Sequence, residues 1–210
     1  MKIISAKIIL LCVIILGLHS PKAFSGGIMD KTTDTATLAS GCFWCTEAIF
    51  EDLKGVQKVT SGYTGGFVKN PTYKDVCDEI TGHAEAVQII FDPSIIQYTK
   101  LLEVFFMTHD PTTLNRQGAD VGTQYRSAIF YHNDQQKDEA EKVVSKLEQS
   151  GIWEDPIVTE ITKASDFYVA EDYHQNYFNN NRTAAYCNFV IVPKIEKFQK
   201  AFGDLLKENR

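Results

Sequence analysis

A pair of cysteines with two aromatic residues between them is the part of the sequence best suited to chemistry. The segment Cys42-Phe43-Trp44-Cys45 lies where a predicted strand passes into a predicted helix. The first turn of a helix presents free backbone N–H groups and the positive end of the helix dipole, and both favour a thiolate over a thiol. We therefore expect Cys42 to be a nucleophile with a lowered pKa.

The same pair has other interpretations. Cys45 lies close to the same helix face as Cys42, so the two thiols could form a stabilising disulfide or bind a metal. Zinc would need two further ligands, and the sequence has no second CxxC or CxxH. Residue 46 is Thr46 rather than histidine, which excludes covalent haem attachment. Phe43 and Trp44 favour catalysis over a plain disulfide, because two aromatic side chains beside a nucleophile can form an apolar wall for a small alkyl group.

Glu85 is the candidate proton donor. Residues 84–91 form a predicted strand, and alternation places Glu85 on the same face as three large apolar side chains, Val87, Ile89 and Phe91. Burial disfavours the charged form of a carboxyl group, so the pKa of Glu85 should rise and the group could donate a proton near neutral pH. A glutamate at the strand end that reaches solvent is the alternative.

Further polar groups come from two later segments. Residues 109–125 lack apolar periodicity, which is typical of a functional loop, and they offer Asp120 and Tyr125 as hydrogen-bonding groups. His174 is expected to be a structural hydrogen-bonding residue rather than a base. Cys187 follows an asparagine-rich break that we predict to be mobile, so its thiol could reach another cysteine.

The predicted elements indicate how these residues are positioned. The first six follow the order β-α-β-β-α-β, which is the split βαβ pattern. The sequence therefore predicts a two-layer α+β sandwich with a ferredoxin-like core and C-terminal extensions. The predicted strands are residues 35–39, 56–63, 84–91, 127–131 and 157–161, and the predicted helices are residues 43–53, 99–108, 134–150 and 166–180.

The N-terminal residues are predicted to lie outside this fold. Lys2 and Lys7 precede an apolar run over residues 8–18, and a small-residue cleavage pattern follows at residues 23–25. We predict a signal peptide over residues 1–25, a flexible tail over 26–35 and one catalytic domain over 36–210. The protein is then exported to the periplasm or another extracytoplasmic space. An uncleaved membrane anchor is the alternative.

Composition excludes several classes of protein. With 210 residues, 44% of them hydrophobic and 23% charged, the chain is neither disordered, collagen-like nor a coiled coil. The net charge is −6, and signal removal takes away three lysines and no acidic residue, which makes it −9. No nucleic-acid partner is expected for so acidic a chain. Five cysteines are too few for a disulfide scaffold, and signal removal leaves four of them.

Seven segments, in order, resemble those of peptide methionine sulfoxide reductase, type A. The resemblance extends from about residue 37 to residue 198. The segments are GCFW at 41–44, NPTY at 70–73, TGHAEA at 81–86, HDPT at 109–112, GADVGTQYRS at 118–127, AEDYHQ at 170–175 and YC at 186–187.

The resemblance implies a reaction, the reduction of methionine-S-sulfoxide to methionine, and an α+β fold around a ferredoxin-like core. Cys42 would be the nucleophile that attacks the sulfoxide sulfur. Glu85 would protonate the sulfoxide oxygen, and the hydroxyl groups of Tyr73 and Tyr125 would bind that oxygen by hydrogen bonds. Cys42 would become a sulfenic acid and then part of a disulfide.

The remaining implied roles concern substrate binding and recycling. Phe43 and Trp44 would hold the S-methyl group, and Asp120 would help to order water. The usual form of the motif has glycine at position 45, so this chain has two candidate resolving cysteines, Cys45 and Cys187. Their order is left open by the sequence, and Cys77 is assigned a structural role.

The resemblance also implies the partners. No bound cofactor or metal is expected, because an external thioredoxin-like dithiol supplies the electrons. The substrates would be oxidised proteins or peptides in the exported compartment, and the protein is expected to be a monomer. Two alternatives from other classes are a general thiol–disulfide exchanger that uses Cys42 and Cys45, and a non-catalytic binding module stabilised by disulfides.

Overall fold

The computed structural model describes residues 33–208, so the predicted signal peptide lies outside the described residues. The strands of the described part are β1 (Asp34–Ser40), β2 (Val56–Thr64), β3 (Ala84–Phe91), β4 (Arg116–Gln117), β5 (Asp120–Val121), β6 (Ser127–Tyr131), β7 (Glu160–Lys163) and β8 (Tyr168–Val169). The α-helices are α1 (Phe43–Phe50), α2 (Tyr73–Cys77), α3 (Tyr98–Thr108), α4 (Asp134–Ser150), α5 (Tyr177–Asn180) and α6 (Val192–Phe202). The last two residues of the predicted tail belong to β1.

Six strands form one sheet in the order β7-β6-β1-β3-β2-β8. Every neighbouring pair is antiparallel except β6 and β7, which are parallel. Strands β4 and β5 form a separate antiparallel pair within the predicted functional loop. The predicted α+β class is confirmed, because helices pack on a largely antiparallel sheet.

The core lies mainly between the sheet and helices α1, α3 and α6. Val87, Ile89 and Phe91 of β3 point into this layer, as their alternation predicts. A smaller cluster of alanines with Phe130 covers the opposite face. Both faces of the central strands are therefore shielded from water. For this reason residues at the ends of β1 and β3 are also buried. No helix within residues 33–208 is long and apolar enough to cross a lipid bilayer.

The predicted helix over residues 166–180 is wrong. This segment consists of β8, a single 3-10 turn and the four-residue helix α5. Gln175 uses its side-chain amide to bind Ser61 of β2 at both the N–H and the carbonyl oxygen, and Asn176 has a left-handed backbone with φ of 51°. Side-chain bonds to another element thus replace the helical ones. The last predicted strand is shifted, since β7 begins at residue 160 rather than 157.

The segment that carries Cys187 also differs from its prediction. Cys187 is completely buried and begins a π-helical turn, Cys187–Ile191, that continues directly into α6. The apolar side chains that follow, Ile191, Ile195 and Phe198, are buried in the main core and anchor the turn. Burial of this apolar stripe explains why the break in the sequence does not leave Cys187 on an exposed loop.

Candidate active site

The nucleophile lies at the junction between the central sheet and the first helix. β1 ends at Ser40, Gly41 turns the chain with φ of 89°, and Cys42 is the N-cap residue of α1. A Cβ atom on residue 41 would lie 2.6 Å from the Cβ atom of Gln117, so both the backbone angle and the space require glycine. This tight turn places Cys42 next to the end of β3, where Glu85 lies.

A small cavity of about 210 Å³ opens at this junction. It brings together residues from β1–α1, α2, β3, the β4–β5 pair, the turn before β6 and the segment before the π-helical turn. Seven of the eight residues that line it are the catalytic and substrate-binding residues that the sequence predicts. The lining residues are Cys42, Phe43, Trp44, Tyr73, Glu85, Asp120, Tyr125 and Tyr186.

Glu85 is a buried carboxyl group beside the nucleophile. Its side chain is 1% exposed, and Glu85 Oε2 accepts a hydrogen bond of 3.1 Å from the backbone N–H of Phe43. Burial raises the pKa of Glu85 to about 8, and the negative charges of Asp120 and Cys45 act in the same direction. Both predictions for this residue, burial on the apolar face and a raised pKa, are confirmed. The group is largely protonated at neutral pH.

This pKa links stability to pH. The ordinary pKa of a glutamate is 4.5 and that of folded Glu85 is about 8, so between these values the folded protein binds a proton that the unfolded chain has released. The free energy of unfolding therefore falls as the pH rises through this window. Urea unfolding at pH 6.5 and 8 should show the wild type losing about 1–2 kcal/mol more than Glu85→Gln. Equal losses in the two proteins would contradict the raised pKa.

The lowered pKa predicted for Cys42 is wrong. Burial raises the pKa of the Cys42 thiol well above its usual range, and the neighbouring Cys45 and the charge of Glu85 add to this rise. A hydrogen bond with Tyr186 opposes it. The thiol is only 6% exposed, so the loss of water outweighs the favourable end of the helix dipole.

Cys42 and Cys45 are in hydrogen-bond contact and titrate as a pair. The pKa of Cys45 lies below its usual value, chiefly because the Cys42 thiol donates a hydrogen bond to it, and the charge of Lys194 contributes. The first proton of the pair is therefore lost from Cys45 rather than from Cys42. All four cysteines of the described residues are free thiols, so no stabilising disulfide occupies this position.

Phe43 and Trp44 form the apolar side of the cavity, and the rings of His174 and Tyr177 pack against them. Phe43 is 1% exposed, whereas Trp44 is half-buried at the rim. The Trp44 indole N–H donates a 3.1 Å hydrogen bond to His174 Nδ1, and its face stacks on Tyr177 with ring centroids 3.6 Å apart. His174 is therefore a structural hydrogen-bonding residue, as the sequence predicts. The indole is held both at its edge and on its face.

The two tyrosines that the resemblance implies are at the cavity. Tyr73 begins α2, and Tyr125 ends a 3-10 turn just before β6. Burial raises the pKa of both hydroxyl groups, so both are protonated donors at neutral pH. Cys77 is exposed, and its thiol forms a hydrogen bond with Tyr73. The structural role assigned to Cys77 from the sequence stays a prediction.

Tyr186 is the cavity residue that the sequence analysis missed. Its hydroxyl donates a 2.8 Å hydrogen bond to Asp120 Oδ2 and is also in hydrogen-bond contact with Cys42. The sequence feature that could have identified Tyr186 is its position directly before Cys187, in the YC segment that resembles the family. Asp120 is half-buried in β5 and is linked through Tyr186 to the nucleophile.

Cys187 lies near Cys45. Burial raises the pKa of Cys187, and the negative charge of Cys45 adds to the rise. Cys45 is in hydrogen-bond contact with Cys42 and is also near enough to Cys187 for its charge to act there. Within residues 33–208, no group of three or more His, Cys, Asp or Glu side chains is placed to hold a metal ion.

Comparisons with known proteins point to one family. The family model described as peptide methionine sulfoxide reductase matches residues 34–206. The peptide methionine sulfoxide reductase MsrA 1 of Rhodopirellula baltica is 59% identical over 174 residues, covering 83% of this chain and 90% of that protein. The MsrA protein of Deinococcus radiodurans is 56% identical over 174 residues, covering 83% of this chain and 84% of that protein.

Solved structures agree. Reduced Mxr1 from Saccharomyces cerevisiae superposes with a TM-score of 0.67 at 37% identity, covering 74% of this chain and 89% of that chain. Methionine sulfoxide reductase A of Corynebacterium diphtheriae superposes with a TM-score of 0.64 at 34% identity, covering 72% of this chain and 76% of that chain. The chain therefore belongs to the peptide methionine sulfoxide reductase family and is a peptide-methionine (S)-S-oxide reductase.

Proposed function

We propose that Cys42 attacks the sulfoxide sulfur of a methionine-S-sulfoxide side chain while Glu85 protonates the sulfoxide oxygen. The observation that carries this proposal is the buried Glu85 carboxyl group, whose pKa of about 8 makes it a proton donor at neutral pH next to the nucleophile. The attack first joins the Cys42 sulfur to the substrate sulfur. The protonated oxygen then moves to the Cys42 sulfur while this new bond and the original S–O bond both break, so methionine leaves and Cys42 becomes a sulfenic acid.

The sulfoxide oxygen is bound by Tyr73 and Tyr125 in this proposal. Both hydroxyl groups line the cavity and remain protonated, so each can donate a hydrogen bond to an oxygen that gains negative charge during attack. Asp120 accepts a hydrogen bond from the Tyr186 hydroxyl group and is proposed to order water at the open side of the cavity.

The Cys42 proton has a short path. Cys45 accepts the hydrogen bond of the Cys42 thiol, and its pKa is lowered whereas that of Cys42 is raised. We infer that this proton moves to Cys45 as Cys42 attacks, which turns a thiol with a raised pKa into a nucleophile without proton transfer to solvent.

The aromatic side of the cavity is proposed to bind the S-methyl group. Phe43 and Trp44 are held rigidly by packing and by the bonds of Trp44 to His174 and Tyr177. With the methyl group against these rings and the oxygen toward Glu85, only one epimer presents its sulfur to Cys42. The proposed specificity for the S epimer then follows because the aromatic rings and Glu85 lie on opposite sides of the sulfoxide sulfur.

The order of the resolving cysteines follows from their contacts. We propose that the Cys45 thiol attacks the Cys42 sulfenic acid, which forms a Cys42–Cys45 disulfide and releases water. Cys187 then attacks the Cys45 sulfur, which forms a Cys45–Cys187 disulfide and frees Cys42 as a thiolate. Cys45 supports this order because it is in contact with Cys42 and its charge reaches Cys187.

An external dithiol of the thioredoxin type is proposed to reduce the Cys45–Cys187 disulfide, so no bound cofactor is needed. Replacement of Cys187 separates this step from the chemistry. With dithiothreitol, which can reduce a Cys42–Cys45 disulfide directly, Cys187→Ser should retain turnover within about twofold of wild type. With a thioredoxin-like protein as the donor, its turnover should fall by about tenfold or more, because the disulfide remains in the cavity.

The dithiothreitol arm is the internal control for folding. Equal activity of Cys187→Ser with both reductants would contradict the relay. Peptide mapping adds a second criterion, since Cys187→Ser should accumulate a Cys42–Cys45 disulfide when no reductant is present. A Cys42–Cys187 disulfide in Cys45→Ser at the wild-type rate would reverse the proposed order.

Trapping the sulfenic acid tests the proposed chemistry. In the double variant Cys45→Ser/Cys187→Ser, methionine-S-sulfoxide peptide followed by dimedone should label Cys42, and the R epimer should leave it unlabelled. Methionine release without dimedone labelling of Cys42 would overturn the mechanism. General thiol–disulfide exchange, the alternative from the sequence, would leave Glu85, Tyr73 and Tyr125 without a task, and it predicts rapid reduction of insulin.

Two wider features complete the proposal. We propose that the central strands form a ferredoxin-like core, which the observed order β6-β1-β3-β2 and its antiparallel pairing support. We also propose that the enzyme acts as a monomer. We further propose that it repairs oxidised proteins outside the cytoplasm, and the predicted signal peptide supports this location. An exported dithiol donor is then required, because that environment is oxidising.

A further inference from the structure

Glu47 is a buried carboxyl group that the proposed reaction does not use. It lies on α1, its side chain is 4% exposed, and it is three residues beyond Trp44 on the same helix face. Burial raises the pKa of Glu47 to about 7, and the charge of Glu51 adds to the rise. A carboxyl group in such a place is costly unless it forms specific hydrogen bonds.

The main partner of Glu47 is the turn before α5. Glu47 Oε1 accepts a 3.0 Å hydrogen bond from the backbone N–H of Asn176, and the N–H of Tyr177 faces the same carboxyl group. Asn176 has a left-handed backbone with φ of 51°, which asparagine adopts more readily than other non-glycine residues. The carboxyl group therefore holds this turn against α1.

This turn determines where the Tyr177 ring lies. Tyr177 follows the left-handed residue directly, and its ring stacks on the Trp44 indole at an interplanar angle of 7°. Because α1 carries both Trp44 and Glu47, the helix joins the indole and the anchor of its stacking partner as one rigid unit. Contacts therefore connect Glu47 to Asn176 and Tyr177 to Trp44, and one turn of α1 separates Trp44 from Glu47.

We propose that Glu47 is a positioning residue that, through Asn176 and Tyr177, keeps the Trp44 indole oriented as the binding wall for the S-methyl group. This inference rests on the proposed function of Trp44. A carboxyl group that only stabilised the fold would not affect substrate binding selectively. Loss of the Glu47 carboxyl group should instead weaken substrate binding and leave the chemical step intact. Cys42 is positioned by the β1–α1 turn and Glu85 by β3, whereas the Glu47 carboxyl group is hydrogen-bonded to the turn before α5.

The first test separates KM from kcat at saturating reductant, with a methionine-S-sulfoxide peptide as substrate. Glu47→Ala should raise KM by about tenfold, the effect of losing one buried hydrogen bond to a charged group, and should change kcat by less than about twofold. Glu47→Gln retains an amide oxygen that can accept from Asn176, so its KM should remain within about threefold of wild type.

The second test observes Trp44 directly. The chain has two tryptophans, so Trp153→Phe leaves Trp44 as the only indole fluorophore. In this background, Glu47→Ala should shift the emission to longer wavelength as the indole leaves its stacking partner, and Glu47→Gln should leave it in place. Tyr177→Leu removes the ring itself and should reproduce both the KM rise and the emission shift.

The third test is a double-mutant cycle. If Glu47 acts through Tyr177, Glu47→Ala combined with Tyr177→Leu should raise KM no more than the stronger single change. A wild-type KM and emission spectrum in a folded Glu47→Ala, or multiplicative KM effects in the double variant, would overturn the proposal. If Glu47→Ala does not fold, Glu47→Asp takes its place in the cycle, because the shorter side chain withdraws the carboxyl group from the Asn176 N–H; a wild-type KM and emission spectrum in Glu47→Asp would equally overturn the proposal. Absence of sulfoxide reduction by the wild type would instead refute the proposed function.

Discussion

Cys42→Ser should abolish sulfoxide reduction, with a fall in single-turnover rate of about four orders of magnitude or more. A serine hydroxyl keeps nearly the same shape at the N-cap of α1, so the fold should persist. It cannot act as the sulfur nucleophile, and it cannot take up the oxygen atom as a sulfenic acid. None of the other three described cysteines lines the cavity, so none of them can replace Cys42 as the nucleophile.

The appropriate measurement is methionine release from a methionine-S-sulfoxide peptide by rapid quenching in the absence of reductant. Cys187→Ser is the matched control, because it is the same replacement at another buried cysteine and should still release methionine. Thermal unfolding of both variants should remain cooperative. Methionine release by Cys42→Ser at more than about one hundredth of the wild-type rate would exclude Cys42 as the nucleophile.

Glu85→Gln should reduce kcat/KM by about 10²–10⁴-fold, the usual range for loss of a general acid. Glutamine keeps the size of the side chain and its hydrogen bond with the Phe43 N–H, but it has no proton to transfer to the oxygen. The pH profile is more specific than the loss of rate. Glu85 must be protonated, so the wild-type kcat/KM should fall as the pH rises through about 8.

In Glu85→Gln this fall should disappear, and only the rise with pH that comes from thiol deprotonation should remain. The matched control is Glu47→Gln, which neutralises another buried carboxyl group and should keep the fall near pH 8. Measurements of kcat/KM from pH 6 to 10 compare the three proteins. A Glu85→Gln profile that still falls near pH 8 would assign the proton donor to another group.

Local patterns predict those parts of the site that depend on a single element. Alternation along β3 predicts that Glu85 faces the apolar layer, and the raised pKa follows chiefly from the burial that this position brings. The order of the first six elements likewise predicts an α+β fold. Residues 84–91 and 127–131 are strands with the predicted bounds, because their apolar patterns are regular and their ends are marked.

Features that depend on contacts between distant segments are not predictable in this way. The raised pKa of Cys42 follows chiefly from its burial among distant segments, with Cys45 and Glu85 adding to the rise and Tyr186 opposing it, rather than from its place at a helix end. The predicted helix over residues 166–180 fails because Gln175 binds β2 instead of its own turn. Its polar sequence is compatible with a helix, and only the neighbouring strand decides against one.

Epimer selectivity in a single turnover tests the central claim most directly. The reduced enzyme, without reductant, is mixed with an excess of a peptide that contains both methionine sulfoxide epimers, and each epimer is quantified by chiral chromatography. The proposed geometry predicts a rapid burst that consumes only the S epimer, together with a Cys45–Cys187 disulfide in the peptide map. Equal consumption of both epimers, or a burst that leaves all cysteines reduced, would contradict attack by Cys42 in the cavity formed with Glu85 and Trp44.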